Sequence, residues 1–299
     1  MNNEYINKIL CGNAIEELKK LEDNSINMCL TSPPYDRLRT YKGIISKKLY
    51  DGYYSFPFVD MAKELYRVMK EGSIICWVVA DMVENGGESG NSFRQALKFQ
   101  EIGFKIYDTM IYEKNGASYS QPGRYDSVFE YMFILLKGKK PNSVNLIRDK
   151  ENRWAGCTNF GTPTKRVASG ELVKYEKFTV AKYGTRKNIF YYKTGKGFGG
   201  DDDSFKHPAS FPMELADDMI LSWSNEGDVV LDPMCGGGTS LLAAKKNNRS
   251  YIGIDINEEY TELSKMRIEK VNPYTTENPN PKTKFISTRE EILEKRKKK

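Results

Sequence analysis

Asp228-Val229-Val230-Leu231-Asp232-Pro233-Met234-Cys235-Gly236-Gly237-Gly238-Thr239 decides how this chain folds. It opens as a short apolar strand, turns through three glycines, and continues from Ser240 to Lys246 with helical spacing. A second strand, Tyr251-Ile252-Gly253-Ile254-Asp255, follows and ends in an acid. Strand, glycine turn, helix and strand make a βαβ unit of the nucleotide-binding kind. The glycines let backbone approach a ligand closely, and Asp255, 23 residues after Asp232, is placed to accept from ribose hydroxyls. The turn itself carries neither a G-x-G-x-x-G pattern nor a Walker lysine, which disfavours a nicotinamide cofactor and a nucleoside triphosphatase.

Working outward, Met213 to Trp223 and Glu258 to Glu269 have helical periodicity on either side of this unit. Near the other end of the chain, a strand around Ile6 to Cys11 ends in a Gly12-Asn13 turn, then helix Ala14 to Leu21, then strand Ser25 to Leu30. That implies a second parallel pair. Phe58 to Met69 reads as a helix, and Ser73 to Ala80, the most apolar stretch, as a central strand with Asp81 at its carboxyl end. Asn85 to Asn91 is a plain loop despite its glycines, because no Lys-Ser/Thr follows. After a helix over Ser92 to Glu101, Phe104 to Tyr112 and Val128 to Leu136 read as an antiparallel edge pair on an otherwise parallel sheet. The class is α/β.

The stretch Thr31-Ser32-Pro33-Pro34-Tyr35 sits where a strand ends. Proline lacks an N–H and stiffens its predecessor, so the segment is rich in carbonyl acceptors and poor in donors, a rim suited to an amino group. The tyrosine beside it offers a face on which a heterocyclic base can stack. A plain Pro-Pro turn with a half-buried tyrosine fits the same five residues. The polar and aromatic loop from Asp36 to Tyr54 reads as a mobile lid or a contact surface.

The 299 residues suffice for one large α/β domain with an insert, or for two domains. No apolar run approaches the ~20 residues of a membrane helix, and the first residues do not resemble a signal peptide, so a cytoplasmic, nucleoid-associated protein is expected. Five scattered cysteines and a single histidine support neither a disulfide framework nor a zinc site; buried thiols and no metal are expected. Charge is uneven: residues 137–206 carry 16 Lys+Arg against 7 Asp+Glu, while the rest of the chain carries 30 against 33. Basic residues interleaved with aromatics there suit a polyanion, with a solvated basic face as the alternative. The tail from Pro273 is polar and ends basic, an electrostatic arm or a solvated helix end.

Together, Thr31 to Tyr35, His207-Pro208-Ala209-Ser210-Phe211-Pro212 and Leu231 to Thr239 closely resemble the S-adenosylmethionine-dependent DNA amino-methyltransferases, in the motif order of the beta class, over residues 6 to 270. The resemblance implies a Rossmann-like seven-stranded methyltransferase sheet, circularly permuted, with an inserted target-recognition region. Its parts would be a catalytic half at 1–136, a basic insert at 137–206, a cofactor half at 207–272 and a basic tail at 273–299. S-adenosyl-L-methionine would lie with its adenosine near Gly12, Asn13 and Asp255. Its methionine part would lie in the turn carrying Asp232, Pro233, Cys235, Gly236, Gly238 and Thr239, with Thr31, His207 and Pro208 at the same pocket. Met234 stands where the family usually has an aromatic residue, Gly237 where serine is common, and Asp36 where asparagine is frequent.

An exocyclic amine is a poor nucleophile because its lone pair is delocalised into the ring. An enzyme must therefore hold its N–H groups and aim the lone pair at the sulfonium methyl. Ser32 and the Pro33 carbonyl are the candidate acceptors, on a rim completed by Pro34, with Tyr35 stacking on a flipped base. Methylation at cytosine C5 would need a cysteine nucleophile, normally in a Pro-Cys context, and no Pro-Cys occurs. By the resemblance, serine before Pro-Pro-Tyr favours N4 of cytosine over N6 of adenine. Double-stranded DNA is the expected partner, with phosphate contacts from Arg37, Arg39, Arg124, Lys165, Arg166, Arg186 and Lys187; the family also admits a homodimer and a cognate restriction endonuclease. An RNA or protein-glutamine methyltransferase and a non-catalytic nucleic-acid-binding protein are the competing readings. Ser32 with the basic insert argues against the first, and the intact glycine turn and Asp255 against the second.

Overall fold

A computed structural model of the chain describes residues 3–34, 49–116, 122–158, 164–174, 179–195, 203, 207, 210–288, 290–291 and 294. Tyr35, Arg37, Arg39 and Pro208 lie outside these residues, as do positions 36–48 of the expected lid or contact loop. The chain packs as two compact units, Met1–Ser143 with Asn188–Asn280 and Val144–Lys187 with Pro281–Lys299.

The first unit is built on an eight-stranded sheet of β1 (Lys8–Cys11), β2 (Ile26–Thr31), β3 (Met69–Val79), β4 (Phe104–Lys114), β5 (Phe129–Lys137), β6 (Ile189–Tyr192), β7 (Val229–Asp232) and β8 (Ser250–Asp255). Their order across the sheet is β1-β8-β7-β2-β3-β5-β4-β6, and all run parallel except β5. Helices α1 (Ala14–Lys19), α2 (Phe58–Val68) and α3 (Asn91–Ile102) pack side by side, as do α4 (Met213–Trp223), α5 (Thr239–Lys246) and α6 (Glu258–Glu269). The crossovers through α1, α2 and α3 all move one way along the sheet, while those through α4 and α5 move the other. Right-handed connections therefore put the two layers on opposite faces. The direction reverses between β7 and β2, and a crevice opens at the carboxyl ends of strands at such a switch.

Burial follows the expected patterns. α2 turns Phe58, Met61, Ala62, Leu65 and Val68 inward, a spacing of three and four that makes one apolar face. Phe58 meets Trp77 of β3 and Phe99 of α3 at ring-centroid distances of 5.8 and 5.1 Å. The buried Trp77 indole N–H donates to Gln95 Oε1 at 2.8 Å, so this large core side chain leaves no orphaned donor. β2 is buried along almost its whole length, as a strand covered on both faces must be.

Three expectations are corrected. The sheet has eight strands, not seven, because Ile189–Tyr192 pairs in parallel with β4. Consequently β4 and β5, though antiparallel to each other, are not the sheet's edge. Phe190 and Tyr192 are buried while Ile189 and Tyr191 face solvent, a two-residue alternation too short to stand out among lysines and aromatics. Of the five thiols, Cys29, Cys76 and Cys235 are buried as expected, whereas Cys11 and Cys157 are exposed.

The second unit carries a hairpin, Thr164–Arg166 with Leu172–Lys174, and the pair Lys150–Glu151 with Tyr183–Gly184. Ile286–Thr288 of the polar tail pairs antiparallel with Asn145–Ile147, and Phe285 packs edge-on against Tyr183 at 5.6 Å. Part of the tail is thus packed, through three ladder residues and one ring. Among the described residues no helix is long and apolar enough to cross a membrane, and no cluster of side chains suits a metal ion.

Candidate active site

Thr31 ends β2 and Asp232 ends β7, and the parallel register that sets Cys29 beside Leu231 brings these ends together. Thr31 Oγ1 donates to Asp232 Oδ1 at 2.7 Å, and the Met234 amide donates to the same oxygen at 3.1 Å. The Ser240 hydroxyl of α5 donates to Oδ2. Burial pushes the Asp232 carboxyl up to about 6, against the downward pull of these donors. Asp232 therefore knots β2, the glycine turn and α5 into one body.

The turn is fastened on two further sides. Asp255, at the end of β8, accepts from the Gly236 amide at 2.9 Å and from the Asn257 amide at 2.9 Å, and burial raises its carboxyl above the usual range. Ser264 of α6 donates to the Gly236 carbonyl at 2.6 Å, and the buried Arg267 guanidinium donates to the Gly237 carbonyl. Gly238 has φ +77°, and a Cβ there would lie 2.7 Å from Ser264 Oγ; a Cβ on Gly236, at φ +49°, would lie 2.6 Å from the His207 imidazole. Only glycine accommodates both the backbone and the neighbours at these positions.

A cleft of about 240 Å³ opens over these ends. Its lining joins Ser32 and Pro34 after β2 to Asp232, Pro233, Cys235, Gly236 and Thr239 of the turn, Asp255 at the end of β8, Asn13 after β1, and His207. Asn13 also caps α1 by accepting from the Ile15 amide at 3.0 Å. Gly12, Thr31, Pro33 and Gly238 are not among the lining residues. Gly12 donates its amide to the Asp255 carbonyl at 2.9 Å, and Thr31 is fully buried on Asp232. The Cys235 thiol is pushed well above its ordinary range by burial and by the carboxylates of Asp232 and Asp255, so it stays protonated.

Sequence reading missed several lining residues: Tyr260, whose ring meets His207 edge-on at 4.4 Å, Ile256, and the segment Tyr50, Ser55, Phe56 and Pro57 leading into α2. Ser264 and Arg267, which hold the turn from behind, were missed too; their spacing of three on α6 was the available signal.

The groups expected to meet DNA are placed differently from one another. Lys165 and Arg166 are exposed on the hairpin and Lys187 is exposed as well. The Arg186 guanidinium is committed to both carboxylate oxygens of Asp149, through Nε at 3.0 Å and through Nη2, and holds that acid below its usual range. Arg124 donates to the Gly86 carbonyl at 2.6 Å.

The residues present fit S-adenosyl-L-methionine: a glycine turn without side chains, a buried acid beside it, and the apolar and aromatic side chains of Ile256 and Tyr260. A family model described as DNA methylase, the N6/N4 group, matches residues 26–266. The orphan methyltransferase M.BamHII of Bacillus amyloliquefaciens is 45% identical over 253 residues, spanning 84% of this chain and 91% of its own. The type II methyltransferase M.HpaI of Haemophilus parainfluenzae is 30% identical over 267 residues, spanning 88% and 74%. Among solved structures, the cytosine-N4-specific PvuII DNA methyltransferase superposes with a TM-score of 0.64 at 18% identity, over 90% of this chain and 88% of that one. A protein of Thermus thermophilus described as a putative DNA modification methylase, complexed with S-adenosyl-L-methionine, gives 0.58 at 20%, over 88% and 93%. These two share the fold.

Proposed function

From the premise that this chain belongs to the N6/N4 DNA methylase family and is an S-adenosyl-L-methionine-dependent DNA methyltransferase, we propose that it methylates N4 of cytosine within a specific duplex sequence, on a base turned out of the helix. In this reading the sheet is the permuted form, catalytic half first and cofactor half last. Exposed Lys165, Arg166 and Lys187 of the basic segment meet phosphates.

The observation that carries the proposal is that Ser32 and Pro34 line the same cleft as Gly236 and Asp255. When bound, the cofactor supplies a methyl group made electrophilic by its sulfonium charge. Asn13 and Asp255 hold the adenosine end, and the Asp232 to Thr239 turn cradles the methionine part. Ser32 and the Pro33 carbonyl accept the N–H groups of the base and so hold its amine toward the methyl group that the cofactor would supply. Tyr35 stacks on the ring. No protein atom attacks the base, in keeping with the protonated Cys235 thiol. Serine at position 32, before the two prolines, favours cytosine.

Incubation with labelled S-adenosylmethionine and duplex DNA, followed by nucleoside analysis, tests the assignment. N4-methylcytosine is expected; N6-methyladenine alone would transfer the same geometry to adenine and overturn the choice of base.

A further inference from the structure

Ser55 is 5% exposed and lines the cleft, yet its hydroxyl has no hydrogen-bond partner among the described residues. A buried hydroxyl without a partner forfeits its hydration and gains nothing in return, so its persistence beside a ligand cleft points to a partner that arrives with the ligand. The surroundings indicate which part of the ligand. Ser55-Phe56-Pro57 leads into α2, an eleven-residue helix whose N-cap, Pro57, makes no side-chain capping bond. Pro57 and Met61 of that first turn also line the cleft. At the start of α2 the Phe58 amide donates to the Phe56 carbonyl at 2.7 Å, while the first-turn amides that follow carry the positive end of the helix dipole and favour an anion, the Asp60 carboxylate of the same turn being 68% exposed. The carboxylate already lining the cleft at Asp255 ends β8, which is separated by β7 from β2, the strand that precedes α2.

We propose that the Ser55 hydroxyl and the first turn of α2 bind the α-carboxylate at the amino-acid end of the cofactor. The inference rests on the cleft being the S-adenosylmethionine site. It makes Ser55 a binding residue that positions the sulfonium from its far end, with the hydroxyl donating to a carboxylate oxygen.

Calorimetric titration with two probes tests it: S-adenosylhomocysteine, which carries the amino-acid end, and 5′-methylthioadenosine, which lacks it. Ser55→Ala is expected to weaken S-adenosylhomocysteine about tenfold or more while leaving 5′-methylthioadenosine unchanged, and Ser55→Thr, which keeps the hydroxyl, to restore most of the loss. The melting temperature of ligand-free Ser55→Ala should equal or exceed that of the parent, since an unpaired buried hydroxyl has been removed. Equal weakening of both probes, or of neither, overturns the assignment while the cofactor site stands. A parent protein that binds neither probe overturns the reading of the cleft itself.

Discussion

Thr31 Oγ1 donates to Asp232 Oδ1 at 2.7 Å, joining the carboxyl ends of two strands that lie 201 positions apart in the chain. This one bond sets the donor-poor Ser32-Pro33-Pro34 rim beside the glycine turn, with Ser240 closing the other oxygen of the same carboxylate. Both reacting partners of a methyl transfer would then be positioned by a single buried acid.

That acid has a pH signature. An ordinary Asp titrates near 3.8, and in the fold Asp232 does so near 6, so the native state holds a proton more tightly than the unfolded chain does. The contribution to stability is complete below about 4 and is lost as pH rises through about 6, the reverse of a salt-bridged carboxylate. Asp232→Asn keeps an acceptor for Thr31 and turns an amide toward Ser240. It should flatten the stability profile across that window by roughly 3 kcal/mol. Urea denaturation from pH 4 to 7 measures it, and an unchanged profile would refute the raised titration.

Gly238→Ala combines a positive φ with a Cβ placed 2.7 Å from Ser264 Oγ. A loss of about 2–3 kcal/mol is expected. Gly52→Ala is the control, at φ +75° with nothing within 4 Å of its Cβ, and should cost only about 1 kcal/mol. Equal losses at the two sites would mean that backbone conformation alone governs the turn.

Ser32→Ala removes one acceptor from the rim without touching the glycine cradle. Methyl incorporation into duplex DNA should fall on the order of a hundredfold in kcat, with the affinity for S-adenosylmethionine nearly unchanged. A proportionate loss of cofactor affinity would reassign Ser32 to the cofactor.

The basic residues should separate into two behaviours. Lys165→Ala and Arg166→Ala, on an exposed hairpin, should weaken DNA binding and lower the salt slope by about one each. Arg186→Ala strips Asp149 of its two-oxygen partner and should lower stability by about 1–3 kcal/mol. Fluorescence anisotropy against potassium chloride, with thermal melts alongside, distinguishes them; an unchanged melt for Arg186→Ala would contradict its structural role.

The sequence by itself determined the local pieces. Apolar runs and helical spacing located the strands and helices of the large sheet, because side-chain periodicity depends only on neighbours along the chain. The motifs around Ser32, His207 and Gly236 named most of the cleft, because proline and glycine act through their own backbones. Tertiary structure alone decided which ends met. Thr31 found Asp232 through strand register, and Ile189–Tyr192 became an eighth strand by pairing with β4. Ile286–Thr288 left the polar tail to pair with Asn145–Ile147, and Ser55 was delivered to the cleft by the packing of α2. Three- and four-residue strands and a lone serine carry no periodic signal; their places follow from hydrogen-bond pairing and burial between segments far apart in sequence.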